Sequence, residues 1–350
     1  MNKNVFLLLF AACLAGFTPS ARAQQYTNQA LMETIVPDAR AAGMADIGSA
    51  TSPDAFSQHW NVAKYAFAAD TGAVGLSYTP WLGAVNSYAS HLFYLAGYYK
   101  IGTHIISAGA RYMSNGNSSL INSATDVYGS TSLSDFSIDV GYSHAFGKYF
   151  SVGAALRYLS LPQLVNTGVA QTPYADGRTG AVAADLGFYF RYPSVAKNEF
   201  ALGLAFKNVG SKVAFSSGNN YFLPMAMYLG SRYSCFFAEK HGLVFAVEIS
   251  KPLTPEDQNK SVLGGLFDSF GNNIKEWGLS VGADYSYTRH FFLRAGYHFG
   301  SDGPYAVGSY VSAGAGVLWG RLALDLSYQL STSGIASVSN IVRASLQYAF

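Results

Sequence analysis

The last ten residues constrain the fold more than any other stretch. In Ile341–Phe350, Val342, Ala344, Leu346, Tyr348 and Phe350 fall on one side of an extended chain, and Arg343, Ser345, Gln347 and Ala349 on the other. An apolar face with an aromatic end, backed by a face bearing Arg and Gln, suits a strand with lipid outside and a polar lumen inside. The preceding segment repeats the design: Leu322, Leu324, Leu326, Tyr328 and Leu330 alternate with Arg321, Ala323, Asp325, Ser327 and Gln329. Two such strands ask for a barrel. A soluble antiparallel sandwich also alternates, so pattern alone leaves both architectures open.

Composition and the N-terminus separate them. Half of the 350 residues are hydrophobic and only 12% are charged, about half the charge of an ordinary soluble domain. After the N-terminus there is no uninterrupted apolar run long enough for a transmembrane helix. The 25 Tyr, 24 Phe and 36 Gly fit strands that need interfacial aromatic girdles and small lumen residues. Lys3, the apolar run Val5–Gly16 and Ala21-Arg22-Ala23 read as a secretory signal peptide over residues 1–23, with the mature chain beginning at Gln24. Cys13 as a lipoprotein acceptor is the alternative, disfavoured by the poor run before it. With Cys13 removed, Cys235 stands alone and no internal disulfide can form. Exported, lipid-facing and without membrane helices, the chain is expected in a bacterial outer membrane. A net charge of +2 offers no footprint for nucleic acid.

Residues 24–70 do not alternate and are rich in Pro, Asp and small residues, so they read as turns and short helices that fold back as a plug. A loose periplasmic tail would not be expected to carry Phe56, Trp60, Tyr65 and Phe67. From residue 71 to 350 the chain reads as a transmembrane β-barrel of about fourteen strands. They are expected near 71–79, 88–99, 103–113, 134–146, 149–159, 181–192, 199–208, 222–233, 242–251, 276–287, 290–299, 309–319, 321–330 and 340–350. Short connections at 100–102, 147–148, 193–198, 234–241, 288–289 and 320 belong to the periplasmic side. Long ones at 114–133, 160–180, 209–221 and 252–275 belong outside. Of the mature prolines, only Pro224 falls inside an expected strand.

Inward faces carry Arg111, Asp139, Arg157, Asp185, Lys207, Glu248, Asp284, Arg294, Asp325 and Arg343. In a small barrel such charges should pair with one another or with the plug, because unpaired burial costs several kcal/mol. Asp38, Arg40, Asp46 and Asp54 are the expected plug partners, and a substrate-conducting path is the competing reading. No histidine pair has metal-site spacing, no glycine cluster forms a phosphate loop, and Ser143-His144 would point to opposite faces, so neither cofactor nor catalytic site is expected. The apolar run within the longest loop, with Leu263, Leu266, Phe267 and Phe270, is either a partner-binding element or a cover for the barrel mouth.

The chain also resembles a known family. Pro37-Asp38-Ala39-Arg40-Ala41-Ala42-Gly43-Met44, Ser52-Pro53-Asp54-Ala55 and His59-Trp60-Asn61-Val62-Ala63-Lys64-Tyr65-Ala66-Phe67 carry the resemblance, with later matches at Lys207-Asn208-Val209-Gly210, Leu223-Pro224 and Asp268-Ser269-Phe270; Asp38, Arg40, Gly43, Met44, Asp46, Asp54, Trp60, Asn61 and Tyr65 form the expected plug motif. These are similar to the PorV/PorQ group of FadL-like outer-membrane proteins. The resemblance implies a fourteen-stranded barrel with an N-terminal plug and a role in the type IX secretion system of Bacteroidetes. It also implies, as partners, secreted cargo with C-terminal signal domains, the translocon barrel, a surface attachment complex and outer-membrane lipid. The alternative within the same fold is a transporter of hydrophobic small molecules.

Overall fold

The computed structural model describes residues 30–81, 90–121, 127–166, 174–193, 198–215, 218–237, 240–255, 257–270, 277–300, 308–333 and 340–350. The signal-peptide expectation and the loop at 82–89 lie outside them. In chain order the strands are β1 (Gly72–Trp81), β2 (Ser90–Ile101), β3 (His104–Ile121), β4 (Val127–Phe146), β5 (Phe150–Asn166), β6 (Tyr174–Pro193) and β7 (Glu199–Gly210). The short β8 (Val213–Ala214) and β9 (Asn220–Tyr221) pair with each other. Then follow β10 (Ala226–Phe237), β11 (His241–Pro252), β12 (Gly278–Tyr287), β13 (Phe291–Phe299), β14 (Tyr310–Trp319), β15 (Leu322–Ser331) and β16 (Ile341–Ala349).

The fourteen long strands form a closed antiparallel barrel, completed where β1 meets β16 from Ala73↔Ala349 to Tyr78↔Ala344. Closure leaves no unpaired edge in the hydrocarbon layer, the condition for a sheet to cross it. The last strand behaves as its period requires. Val342, Leu346 and Tyr348 are exposed on the outside, whereas Arg343 and Ser345 are buried inside. The chain end lies beside the barrel start, with Gly72 and Phe350 exchanging backbone hydrogen bonds. That end, with its short turns, is the periplasmic one.

Two outer connections depart from expectation. Residues 114–133 and 160–180 are mostly strand, because β3, β4, β5 and β6 run on beyond the membrane as two tall hairpins. Their Ser, Asn and Gly content reads locally as loop, yet the ladder continues on cross-strand pairing. Prolines were also misplaced by the pattern: Pro224 precedes β10, whereas Pro80, Pro162, Pro193 and Pro252 lie within strands. Pro193 and Pro252 are final residues. Pro80 lies past Tyr78, beyond which no β16 pairing is described, so its missing donor costs nothing there.

The N-terminal segment occupies the interior. It contains a one-turn helix at Leu31–Glu33, α1 (Ala39–Ala42), α2 (Ser57–Trp60) and a 3₁₀ run at Val62–Phe67. Its backbone is held from opposite walls: Ala39 N donates to Ser345 Oγ at 2.8 Å, Ala45 N to Ser312 Oγ at 2.8 Å and Ser49 N to Glu248 at 2.7 Å, while Ser151 Oγ donates to Ala63 O at 2.7 Å. Inward glycines make the room. A Cβ at Gly153 would lie 2.6 Å from Ala63 N, at Gly75 2.6 Å from the Phe56 ring and at Gly43 3.1 Å from Gly314 Cα. Gly203 and Gly296 meet the backbone of Ser49 and Met44 more closely still. Except at Gly75, which faces a ring, a methyl group at these positions would meet main chain, which cannot rotate away as a side chain can.

Candidate functional site

The inner network begins with Glu33, one turn into the described chain. Its carboxylate accepts from Ser137 Oγ at 2.7 Å and pairs with Arg111 at 3.2 Å and Arg157 at 3.3 Å. Burial alone would raise its pKa, but the two guanidinium groups outweigh it and hold Glu33 below the usual carboxylate range. Arg157 then reaches Asp185 at 2.9 Å and Asp139 at 3.4 Å, and Lys207 also pairs with Asp185. Across the barrel Arg294 joins Asp284 at 3.0 Å and Asp325 at 2.5 Å. Glu248 and Arg343 instead grip segment backbone: Glu248 accepts from Gly48 and Ser49, and Arg343 donates to Val36 O at 2.9 Å and to Gln329 at 2.8 Å.

The motif aspartates correct the expectation drawn from sequence. Asp38 caps α1 through Ala41 N at 2.8 Å and accepts from Trp60 Nε1 at 2.6 Å. Arg40 pairs with Asp54 at 2.9 Å, and Asp54 in turn accepts from Phe56 N and Ser57 Oγ. By direct hydrogen bond and ion pair these three tie the segment to itself, while Arg40 also lies in the field of the lumen carboxylates Asp284 and Asp325. Asp46 does reach the wall, accepting from Tyr310 OH at 2.5 Å. Asn61 caps the 3₁₀ run through Ala63 N at 3.1 Å and donates to Ser49 O and Phe188 O, whereas Tyr65 OH accepts from Gln58 N and donates to Ala55 O. Gly43 lies on Gly314, and Met44 is buried against Ile47 and Ala246. Burial and the nearby Asp54 carboxylate push Asp38 up to about 6, and burial brings fully enclosed Lys64 down to about 8, held by Gly48 O at 2.7 Å and Thr51 Oγ1 at 3.0 Å.

Sequence reasoning missed Glu33 as the hub and Asn208 as the bulge in β7. Opposite Asp185, β7 carries two residues, Lys207 and Asn208, where the β6–β7 register shifts. Asn208 has φ +57°, a left-handed conformation that asparagine tolerates better than most residues. Its N–H donates to Asp185 at 2.7 Å and its side chain to Pro224 O at 3.1 Å, which draws the chain between β9 and β10 over the mouth. The Lys-Asn-Val-Gly sequence was the available signal.

At the end opposite the termini, the expected partner loop contains α3 (Val262–Ser269), capped by Ser261 Oγ accepting from Gly264 N at 3.1 Å. Val262 and Leu266 pack against Phe222, Met225 and Leu253, and buried Gly265 lets the helix lie against Pro255. Leu263, Phe267 and Phe270 face out, at 65%, 72% and 44% exposure. The spacing i, i+4, i+7 puts them on one face. Leu266 is thus a cover residue, and the other three form a bare apolar stripe. Below this roof lies a cavity of about 120 Å³ between the segment and β7, β10, β11 and β13.

Among the described residues no group of three or more His, Cys, Asp or Glu is placed to hold a metal. Ser143 is buried inside while His144 faces outward. No curated protein matches the chain. The family described as Type IX secretion system protein PorV matches residues 20–259. Among solved structures, the CymD monoaromatic hydrocarbon channel is similar at TM-score 0.52 and 15% identity, over 90% of this chain and 97% of that one. The Ralstonia pickettii toluene transporter TbuX is similar at TM-score 0.50 and 11% identity, over 89% and 97%. A Pseudomonas aeruginosa FadL homologue gives TM-score 0.49 at 13% identity, over 90% and 98%. At such identities the likeness to the first two is one of fold alone. The chain is an outer-membrane β-barrel protein and belongs to the PorV family of type IX secretion system proteins.

Proposed function

We propose that the chain is a non-enzymatic carrier in type IX secretion: it binds the C-terminal signal domain of secreted cargo at its outer end and passes it from the translocon to the surface attachment complex. The observation that carries this reading is α3. Its inner face is fastened to the mouth by Leu266 and Val262, so the apolar stripe of Leu263, Phe267 and Phe270 is presented on a fixed support. Solvent-exposed aromatics on a rigid element are the kind of anchor from which protein interfaces draw most of their affinity. The tall β3–β4 and β5–β6 hairpins flank the same end. In this reading residues 30–70 act as a permanent plug.

The second reading, a transporter of hydrophobic molecules, has the barrel fold in its favour. Against it stands the seating of the segment on inward glycines, since passage would require main chain to leave walls so close that they have no room for a Cβ, and to break its hydrogen bonds to Ser345, Ser312, Glu248 and Ser151. The cavity of about 120 Å³ is also below the roughly 300 Å³ at which drug-sized ligand sites begin. The test is a pull-down from detergent-solubilised outer membranes with mass spectrometry of what accompanies the barrel. Secreted proteins sharing a C-terminal domain, or a large translocon barrel, would support the carrier. Recovery of the barrel with lipid alone would move the assignment to the transporter.

A further inference from the structure

The cavity under the α3 roof is not used by the carrier reading, and its lining is unbalanced. The one carboxylate in the lining, Glu33, and the Asn208 amide oxygen already face cations. Glu33 Oε1 is taken by Ser137 and Oε2 lies between Arg111 and Arg157. Asn208 Oδ1 accepts from Arg157, and Pro224 O accepts from Asn208. Donors are left over. Arg111 can only donate, so the His59 nitrogen it meets, Nδ1, must be the acceptor, and the ring proton sits on Nε2. Burial and Arg111 keep the ring neutral by lowering its pKa well below the usual value. Neither that Nε2–H nor the Tyr228 hydroxyl has a partner among the described residues, and Lys207 Nζ spends its bonds on Asp185 and Gln58 O with one proton to spare. His59, Tyr228 and Lys207 all line the same cavity, beside Arg157 and the buried Lys251.

We propose that this cavity is a binding site for a small oxyanion, a phosphate or a short carboxylate, held by His59 Nε2–H, Tyr228 O–H and Lys207 Nζ. Hydrogen bonds from such donors to an ionised oxygen are about twice as strong as neutral ones. The cavity of about 120 Å³ is well above the roughly 10–15 Å³ that a single water needs, so a phosphate group has room, and the three donors have nothing to offer an acyl chain. The site therefore differs in kind from one for an apolar molecule. Because the roof residue Met225 touches both the cavity and the cluster under α3, the anion would sit directly beneath the exposed stripe.

The experiment is isothermal titration of the detergent-solubilised full barrel with inorganic phosphate. Saturable binding is expected, about tenfold weaker in Tyr228→Phe, which keeps the ring and loses the hydroxyl, and absent in Ser250→Leu, which fills the cavity from β11. Retention of a heat-modifiable band on gels identifies folded variants. If Ser250→Leu does not fold, Tyr228→Phe decides the matter. No binding at millimolar phosphate, or native affinity in Tyr228→Phe, would overturn the proposal. Competition by a short-chain phosphatidic acid would identify the source as a lipid phosphate entering from the mouth; its failure to compete would identify a free anion.

Discussion

The middle of the barrel and its outer mouth are built on opposite rules. In the middle, main chain meets main chain across inward glycines, and charges of both signs are enclosed in a network of ion pairs and backbone bonds. At the mouth, a helix caps a small cavity and leaves three large apolar side chains bare. The middle has no slack: a buried charge must keep its partner, and a backbone contact cannot repack. The mouth spends exposed apolar area that a folded protein would otherwise hide, which is the cost borne by a surface meant for a partner. Rigidity and recognition are thus separated along the barrel axis.

Breaking the middle should have the largest effect. Gly203→Val places a branched side chain against the Ser49 carbonyl, and we expect loss of the heat-stable folded band on gels. Folding at native stability would mean that the segment is not fixed in its seat. Arg157→Ala leaves Glu33, Asp139 and Asp185 short of a common partner, with an expected cost of about 3–5 kcal/mol in urea unfolding; a change under about 1 kcal/mol would show the network to be dispensable.

At the mouth the expected signature is reversed. Phe267→Asp with Phe270→Asp should leave unfolding unchanged and weaken partner capture at least about tenfold, as removal of central aromatic anchors does. Capture at native levels would detach α3 from the carrier role.

The smallest effect distinguishes the interior of the segment from the wall. Asp38 is raised to about 6 in the folded chain against about 3.9 unfolded. The folded state thus holds the extra proton, and the stability it brings is present below about pH 4 and lost as pH rises through about 6. Asp38→Asn, which keeps an oxygen for the Ala41 cap, should flatten that window by about 2–3 kcal/mol between pH 4 and 7. An unchanged slope in urea midpoints over this range would place the proton elsewhere.

Much of the fold was legible in sequence because its period is local. Alternation in Leu322–Leu330 and Val342–Phe350 depends only on which residues face lipid, and an outer face in hydrocarbon leaves little latitude. Where lipid no longer dictated a face, at the tops of β3 to β6, the pattern lapsed although the ladder did not. The inward charges were also legible, since Arg111, Arg157 and Asp325 interrupt apolar strands at the lumen phase. Their partners were not. Asp38 and Asp54 turn back onto Trp60 and Arg40, and Glu33 supplies the link that they were expected to make.

By itself, then, the sequence determined a closed lipid-facing barrel, its periplasmic end and an N-terminal segment unlike the strands. Each of these follows from period, turn length and composition, which are properties of neighbours along the chain. Only the tertiary structure decided which inward glycines receive the segment, which carboxylate neutralises which guanidinium, and that Leu266 turns inward while Leu263, Phe267 and Phe270 stay bare. Those outcomes depend on the path of an aperiodic segment and a loop across the lumen. They are settled by distances between residues as far apart as Ala39 and Ser345, for which no local spacing in the sequence stands proxy.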